Sequence, residues 1–438
     1  MNGHTELLAA PKPKYKFLFV SLESLSGDLA WQIKKEGHEV KAYIESKDDA
    51  DVYDGILDKV NDWQQHTDWA DVIIFDDVGF GKAADTLRAA GKFVVGGSKY
   101  TDQLEDDREF GQAEMKRLGL LTLPHWDFHD YEAALKFILE NPGRYVYKPS
   151  GLVPSDWKGL LFLGKDEDGK DLHEILRSNQ KVLARKIKQF QLQKFVAGVE
   201  FAVGAFFNGH DFIYPINVNF EHKKLFPGDI GPFTGEMGTL MYWSQPNTIF
   251  KLTLEKFKED LQKSGYIGYI DINCIVNARG IYPLEFTSRF GYPTISVQSE
   301  GVVSPWGEFF HALARGEQPE LKTKKGFQVG ICCATPPFPY DDKSEIDIYK
   351  DLSISFKKPN YEGIHLGDVK FVDGNWCIAG NSGYDLVVTG SGTTVSEARR
   401  QVYARVDNVM LQNMFYRTDI GLGWSEDSDK LQTWGYLY

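Results

Sequence analysis

The chain has 438 residues, of which 42% are hydrophobic and 25% charged, and its net charge is −13. At roughly 100–200 residues per domain this length holds about two to four domains, and so large an apolar fraction excludes a chain that stays disordered. The negative balance argues against a protein that tracks nucleic acid through its overall field. Four cysteines with no C-x-x-C pair and no histidines at zinc spacing fit a reducing compartment. No apolar run approaches the roughly 18–20 residues of a membrane span, so a cytoplasmic protein without a membrane partner is expected.

In chain order, residues 16–20 read as a strand that runs into the polar loop 21–27. Residues 28–36 have helical spacing and stop at Gly37, and 39–44 read as a second strand. The same order returns in the apolar run 71–75, a helix over 82–90 stopped by Gly91, and a strand over 92–95. Alternating strand and helix means a parallel sheet, so residues 1–124 form an α/β domain. Its site is expected at the carboxyl ends of the strands, near 21–27 and 76–81. Short strands at 145–148 and 160–163, a charged helix and the segment 190–195 make a small α+β unit. The stretch 200–326 is richer in strands and carries the densest polar chemistry. The remainder opens with the apolar run 329–334, has strand-like runs at 369–372 and 386–389, and has a helix from 395 to about 411.

The strongest local signal is a pair of strands, 270–276 and 281–286, joined by a turn at 277–280. Such a hairpin brings Asn273 and Glu285 close together. Oxygen ligands paired in this way suit Mg²⁺, which takes one or two carboxylates and completes its shell with water and phosphates. The alternative is that Glu285 forms a structural ion pair with Arg289. Gly228, Gly231, Gly235 and Gly238 make either an anion-binding turn or a plain glycine-rich surface turn. Lys148 ends a strand just before the loop 149–154, where a lysine reaches a phosphate as a point charge or is simply solvated.

Taken in order, these segments resemble the phosphoribosylamine-glycine ligase family of ATP-grasp enzymes, which makes glycinamide ribonucleotide in purine synthesis. Glu221-His222-Lys223-Lys224 followed by residues 229–238, ending Gly235-Glu236-Met237-Gly238, is similar to the family's D-H-K-R and D-x-G-P-N-T-G-G-M-G. Residues 285–293, Glu285-Phe286-Thr287-Ser288-Arg289-Phe290-Gly291-Tyr292-Pro293, resemble E-F-N-x-R-F-G-D-P. Residues 195–200 resemble F-L-x-G-E-E. The resemblance implies an ATP-grasp fold, α/β and α+β in class, in four parts: an N-terminal Rossmann-like parallel-sheet domain (1–124), a lid (125–196), a central domain (197–325) and a C-terminal domain (326–438). It also implies an ADP-producing enzyme that uses ATP with Mg²⁺ or Mn²⁺ to join a small carboxylate to a small amine through an acyl phosphate, as a monomer or homodimer.

On that template Lys148 and Lys158 meet nucleotide phosphate, Lys194, Phe195 and Val196 meet adenine, and Glu200 takes the ribose. Glu285, Asn273 and Thr287 hold the metal. Arg289, Lys223 and Asp229 are the catalytic candidates, and His222, Gly231, Thr234, Gly235 and Gly238 the substrate candidates. The departures bear on the substrate. The family's N-terminal G-x-G-G-R-E-H is here Ser21-Leu22-Glu23-Ser24-Leu25-Ser26-Gly27-Asp28. Pro154, Asp156 and Trp157 intrude in the lid loop, Thr287 replaces an asparagine and Tyr292 an aspartate. Phosphoribosylamine is therefore expected to be a poor substrate, and the acceptor a different amine, including a cationic one paired with Glu23 or Asp28. The competing readings are that these carboxylates cap the helix, that the chain is the purine enzyme itself, or that it is a nucleotide-binding homologue with reduced catalysis.

Overall fold

The computed structural model describes residues 13–150, 160–340 and 343–437. The N-terminal sheet holds β1 (Lys16–Ser21), β2 (Glu39–Ile44), β3 (Asp58–Lys59), β4 (Val72–Phe75) and β5 (Val94–Val95), in the order β3-β2-β1-β4-β5. All its pairs are parallel. β1 and β4 are fully or nearly fully apolar because helices cover both faces. The order reverses between β1 and β4, so their carboxyl ends at Ser21 and Asp76 flank a crevice. The strand expected over 92–95 keeps only Val94 and Val95, since the N–H of Lys92 still bonds to the Leu87 carbonyl of the preceding helix.

Next come β6 (His125–Phe128), β7 (Tyr145–Ser150), β8 (Phe162–Leu163) and β9 (Gln189–Lys194), an antiparallel sheet ordered β6-β9-β7-β8. The helices Tyr131–Glu140 and Lys170–Lys186 pack on it through Ala134, Ile138, Leu172 and Leu176, which form a core of their own with Tyr145, Tyr147 and Phe190. This core is separate from the one beneath the central sheet.

The central sheet is built from β10 (Val199–Phe207), β11 (Phe212–Glu221), β14 (Gly238–Ser244), β15 (Gly268–Asn277), β16 (Gly280–Thr287) and β17 (Phe327–Cys333). A two-stranded flap, β12 (Lys224–Phe226) with β13 (Ile230–Phe233), projects between β11 and β14. The C-terminal region supplies β18 (Ser353–Phe356), β19 (Ile364–Leu366), β20 (Val369–Val372), β21 (Asn375–Ile378), β22 (Leu386–Gly392) and β23 (Val409–Met410). Two of these, β22 and β19, extend the central sheet to eight strands in the order β16-β15-β10-β11-β14-β17-β22-β19. The C-terminal region thus shares one sheet with the centre. Its other strands form β20-β21-β18-β23. The helix expected from 395 to about 411 runs Val395–Val406 and stops short of 411, because Val409 and Met410 leave it to pair with Phe356 and Ser355, and a further helix, Trp424–Thr433, follows. Among the described residues no helix is long and apolar enough to cross a membrane.

Candidate active site

The β15–β16 hairpin sets the centre of the site. Its register places Asn273 opposite Glu285 and Asp271 opposite Thr287. Alternation puts all of them on one face, and neighbouring strands add Glu200 from β10 and Glu221 from β11. The Asn273 amide donates to Glu200 at 3.3 Å and to Glu221 at 3.4 Å, while its Oδ1 is buried without a partner. Lys223, just past β11, reaches back over this face. Its ammonium lies 2.8 Å from Glu285, 3.3 Å from Glu221 and 3.7 Å from Glu200. The alternative, a Glu285–Arg289 ion pair, does not form, because Lys223 takes Glu285 instead. That ammonium holds the Glu285 carboxyl down at about 2. Glu200 is pushed up by desolvation, against the pull of Lys223.

The flap fixes Lys223. Both the N–H and the hydroxyl of Thr234 donate to the Lys223 carbonyl, at 2.8 and 2.9 Å, and Met237 N–H and Gly238 carbonyl clamp His222. Gly231 sits at φ +87°, and its carbonyl accepts from Lys224. Gly238 passes so close to the Gly330 carbonyl that a side chain would not fit. Thr234, Gly231 and Gly238 therefore shape the backbone around Lys223, while at Gly235 there is open space where a side chain would stand. Asp229 points the other way, to the buried Arg417 at 2.8 Å, and His222 is half-buried with its Nδ1 unpartnered.

Lys148 on β7 faces Glu285 across a cleft of about 740 Å³, which Glu105, Arg108, Ser150 and Gln191 also line. Burial, then Arg108, lowers its ammonium to about 8. At the end of β9, the N–H groups of Lys194 and Phe195 are taken by the carbonyls of Pro124 and Arg144, the Arg144 guanidinium covers the Phe195 ring at 3.4 Å, and Val196 follows, half-buried. Lys158 lies outside the described residues, as do Pro154, Asp156 and Trp157.

Arg289 belongs to a second cluster. Its Nε meets Glu105 at 3.1 Å and Asp77 at 3.4 Å, so the segment after β16 is tied to the N-terminal domain. Glu105 also accepts from the Ser288 N–H at 2.7 Å. Burial pushes Asp77 up to about 7, despite Arg289. Thr287 shares its register position with Asp271, whose carboxyl is raised by burial and then by Glu221.

The N-terminal crevice differs from its sequence expectation. Asp76 at the end of β4 accepts from the hydroxyls of Ser21 at 2.9 Å and Ser26 at 2.6 Å and from the Ser26 N–H at 3.0 Å. A carboxylate of the chain itself thus fills the start of the helix Gly27–Lys35. Asp28 does not cap that helix; it is buried against His365 at 2.7 Å and the Leu366 N–H at 3.1 Å. Glu23 is exposed at the rim. Arg108, Glu105, Asp77 and Glu221 were missed in the sequence, although Glu221 stands at the aspartate of the D-H-K-R pattern and signalled a carboxylate there.

Comparison with known proteins shows what the chain is similar to. Residues 106–295 match the family model for the phosphoribosylglycinamide synthetase ATP-grasp (A) domain. The chain therefore carries a segment similar to an ATP-grasp domain and is similar along most of its length to phosphoribosylamine–glycine ligases. It is 26% identical over 355 residues to that ligase from Streptococcus pneumoniae (strain ATCC BAA-255 / R6), covering 79% of this chain and 82% of the relative. The one from Listeria innocua is 27% identical over 387 residues, 83% of this chain and 87% of the relative. Among solved structures, phosphoribosylamine–glycine ligase from Thermotoga maritima superposes with a TM-score of 0.70 at 23% identity, over 93% of this chain and all (100%) of that one. Biotin carboxylase from Campylobacter jejuni shares the fold, with a TM-score of 0.60 at 13% identity over 97% of this chain and 98% of that one. The fold is that of ATP-grasp proteins, mixed α/β with a parallel N-terminal sheet and antiparallel sheets beyond it.

Proposed function

We propose that the chain is an ATP-dependent carboxylate–amine ligase that joins glycine or another amino acid to an amine through an acyl phosphate, with release of ADP. The observation that carries this reading is the convergence of Lys148, Arg108 and Glu285 on one cleft between the β6–β9 unit and the central sheet, with Lys223 bonded to Glu285. Lys148 and Arg108 supply cationic donors for nucleotide phosphates, the segment 194–196 borders the base, and Glu200 serves the ribose. Among the described residues no cluster of three or more His, Cys, Asp and Glu is arranged to hold a metal. A two-ligand Mg²⁺ or Mn²⁺ site does fit: Glu285 supplies a carboxylate, and Asn273 opposite it has an orphaned oxygen. When bound there, the ion supplies charge neutralisation on the phosphates. Thr287 stands next to this pair on the same face of β16.

Each step sets a demand on the chain's own residues. When the substrate carboxylate oxygen attacks the γ-phosphorus, negative charge spreads over the transferring group. Positioned cations lower that barrier, and Lys223, held in place by Thr234, is one of them. Arg289, held by Glu105 and Asp77, is the second, on the side of the N-terminal crevice. When the amine nitrogen attacks the acyl carbon, the C–N bond forms and phosphate leaves. Water must be excluded meanwhile, which a mobile β6–β9 unit achieves by closing. Phosphoribosylamine itself as the acceptor is the second reading, favoured by the coverage of the named relatives.

Calorimetry on the whole protein tests the nucleotide half of the proposal: ATP binding should need Mg²⁺, and Glu285→Ala should weaken it at least tenfold. A screen of amino acids and amines should yield ADP and phosphate with an amide adduct. Release of AMP and pyrophosphate would overturn the acyl-phosphate route.

A further inference from the structure

Lys223 stands at the root of the flap, between the end of β11 at Glu221 and the start of β12 at Lys224. The flap is a pair of short antiparallel strands, in register at Lys224 with Phe233 and at Phe226 with Ile230. A lone two-stranded hairpin is marginally stable in water. This one gains little from burial, because Phe226 is 48% and Ile230 65% exposed. Its placement must come from elsewhere.

That anchor is Arg417, in the C-terminal region, whose side chain is only 1% exposed. Its Nε and Nη2 donate to the two oxygens of Asp419 at 2.8 and 2.7 Å. Its Nη1 donates to the Lys224 carbonyl at 2.9 Å and to Asp229 at 2.8 Å. Asp419 also accepts from the Gly228 N–H at 2.8 Å. One buried ion pair therefore grips the flap at its root, Lys224, and at its tip, Gly228 and Asp229. The tip suits this grip, since φ of +73° at Gly228 and +55° at Asp229 turn the chain back there. The ion pair is itself rooted in the fold. The Tyr403 hydroxyl, on the helix Val395–Val406, donates to the Arg417 carbonyl at 2.9 Å. Just past β17, Phe415 and Ala334 exchange backbone hydrogen bonds at 2.9 and 3.0 Å.

The consequence falls on Lys223. Its own carbonyl is taken by Thr234, and the next carbonyl, of Lys224, by Arg417. A planar guanidinium that uses all three nitrogens has one orientation, so it fixes the backbone it bonds to. We infer that Arg417, with Asp229 and Asp419, positions Lys223, so that the C-terminal region sets the ammonium that meets the transferring phosphoryl group. The inference rests on the ligase reading. It gives Asp229, a catalytic candidate from the sequence, a part in geometry instead.

Calorimetry of the full-length protein with ATP and with ADP, each with Mg²⁺, tests this, because the two probes differ by the γ-phosphate that Lys223 addresses. Lys223→Met should lower the ratio of ATP to ADP affinity at least fivefold. Asp229→Gly, which suits the left-handed backbone at that position, and Arg417→Met should lower it as much and leave ADP affinity within twofold. Neither should lower it further when combined with Lys223→Met. A wild-type ratio in Lys223→Met or in Asp229→Gly overturns the inference. So does an equal loss of ATP and ADP affinity, which a merely structural role predicts, or a further fall in the combined variants. A folded Arg417→Met with the wild-type ratio overturns it too, since Asp229 would then act on the nucleotide directly. The Asp229 side chain is 71% exposed, so Asp229→Gly decides even if Arg417→Met does not fold. Wild type that binds no ATP removes the ligase reading and this inference with it, whereas ATP binding with an unchanged ratio in Asp229→Gly removes this inference alone.

Discussion

Replacing Lys223 by methionine removes the only ammonium that, among the described residues, lies within 4 Å of Glu285, Glu221 and Glu200, and keeps an apolar stem of similar length. The Glu285 carboxyl is lowered from 4.5 to about 2, with Lys223 as the largest cause. At about 1.4 kcal/mol per unit this amounts to roughly 3 kcal/mol for a fully shielded pair. The Glu285 side chain is 53% exposed, so solvent screening leaves about 1–2 kcal/mol. A carboxylate with a depressed value contributes stability above its unfolded value and loses it as the pH falls. The difference between Lys223→Met and wild type should therefore be full above about pH 4.5 and fade as the pH drops towards 2. Thermal melts at low salt measure it as a fall of a few degrees. Because the carboxylates released from Lys223 then face one another, millimolar Mg²⁺ without nucleotide should restore part of the loss in the variant and do nothing for wild type. A variant that melts with wild type at pH 7, or one indifferent to Mg²⁺, would refute the reading of Lys223 as the counter-charge of this cluster.

Lys148, lowered to about 8, should lose its charge as the pH rises through that value, so ATP affinity in wild type falls above about pH 8. Lys148→Arg keeps its charge and should bind ATP with a flat profile between pH 7 and pH 9, as read by calorimetry. Gly330 on β17 lies against Val297 of the helix Thr294–Gly301 with no room for a methyl group, so Gly330→Ala should cost about 1–3 kcal/mol of stability in denaturant melts through overpacking.

The fold was legible where the signal is local. The hairpin 270–286 announced its register through alternation and a four-residue turn, and Asn273 does face Glu285. The α/β grammar of residues 16–95 likewise gave the parallel sheet, since each of its strands follows a helix or loop that must cross over. The partners of the charged groups were not legible. Lys223 meets carboxylates from three strands, and Arg289 meets Glu105 and Asp77 from a different sheet and helix; neither pairing has any sequence spacing to betray it. The extension of the central sheet by β22 and β19 was hidden for the same reason, as strand order is decided by which apolar faces need cover.

Asp28 shows what that limit means for specificity. A carboxylate at the mouth of a crevice invites a cation, yet its charge is already spent. His365 joins it at 2.7 Å and reaches the Thr389 hydroxyl at 3.1 Å; Thr389 donates to Glu300 at 3.0 Å, and Glu300 accepts from Arg405 at 3.0 Å. The His365 ring thus bridges Asp28 at Nδ1 and the Thr389 hydroxyl at Nε2. This chain links the first helix to the C-terminal strands β19 and β22 and to the helix Thr294–Gly301, and every member has a partner. A group whose hydrogen-bonding capacity is filled by the fold gains little by meeting a ligand, because it must first give up a bond of similar worth.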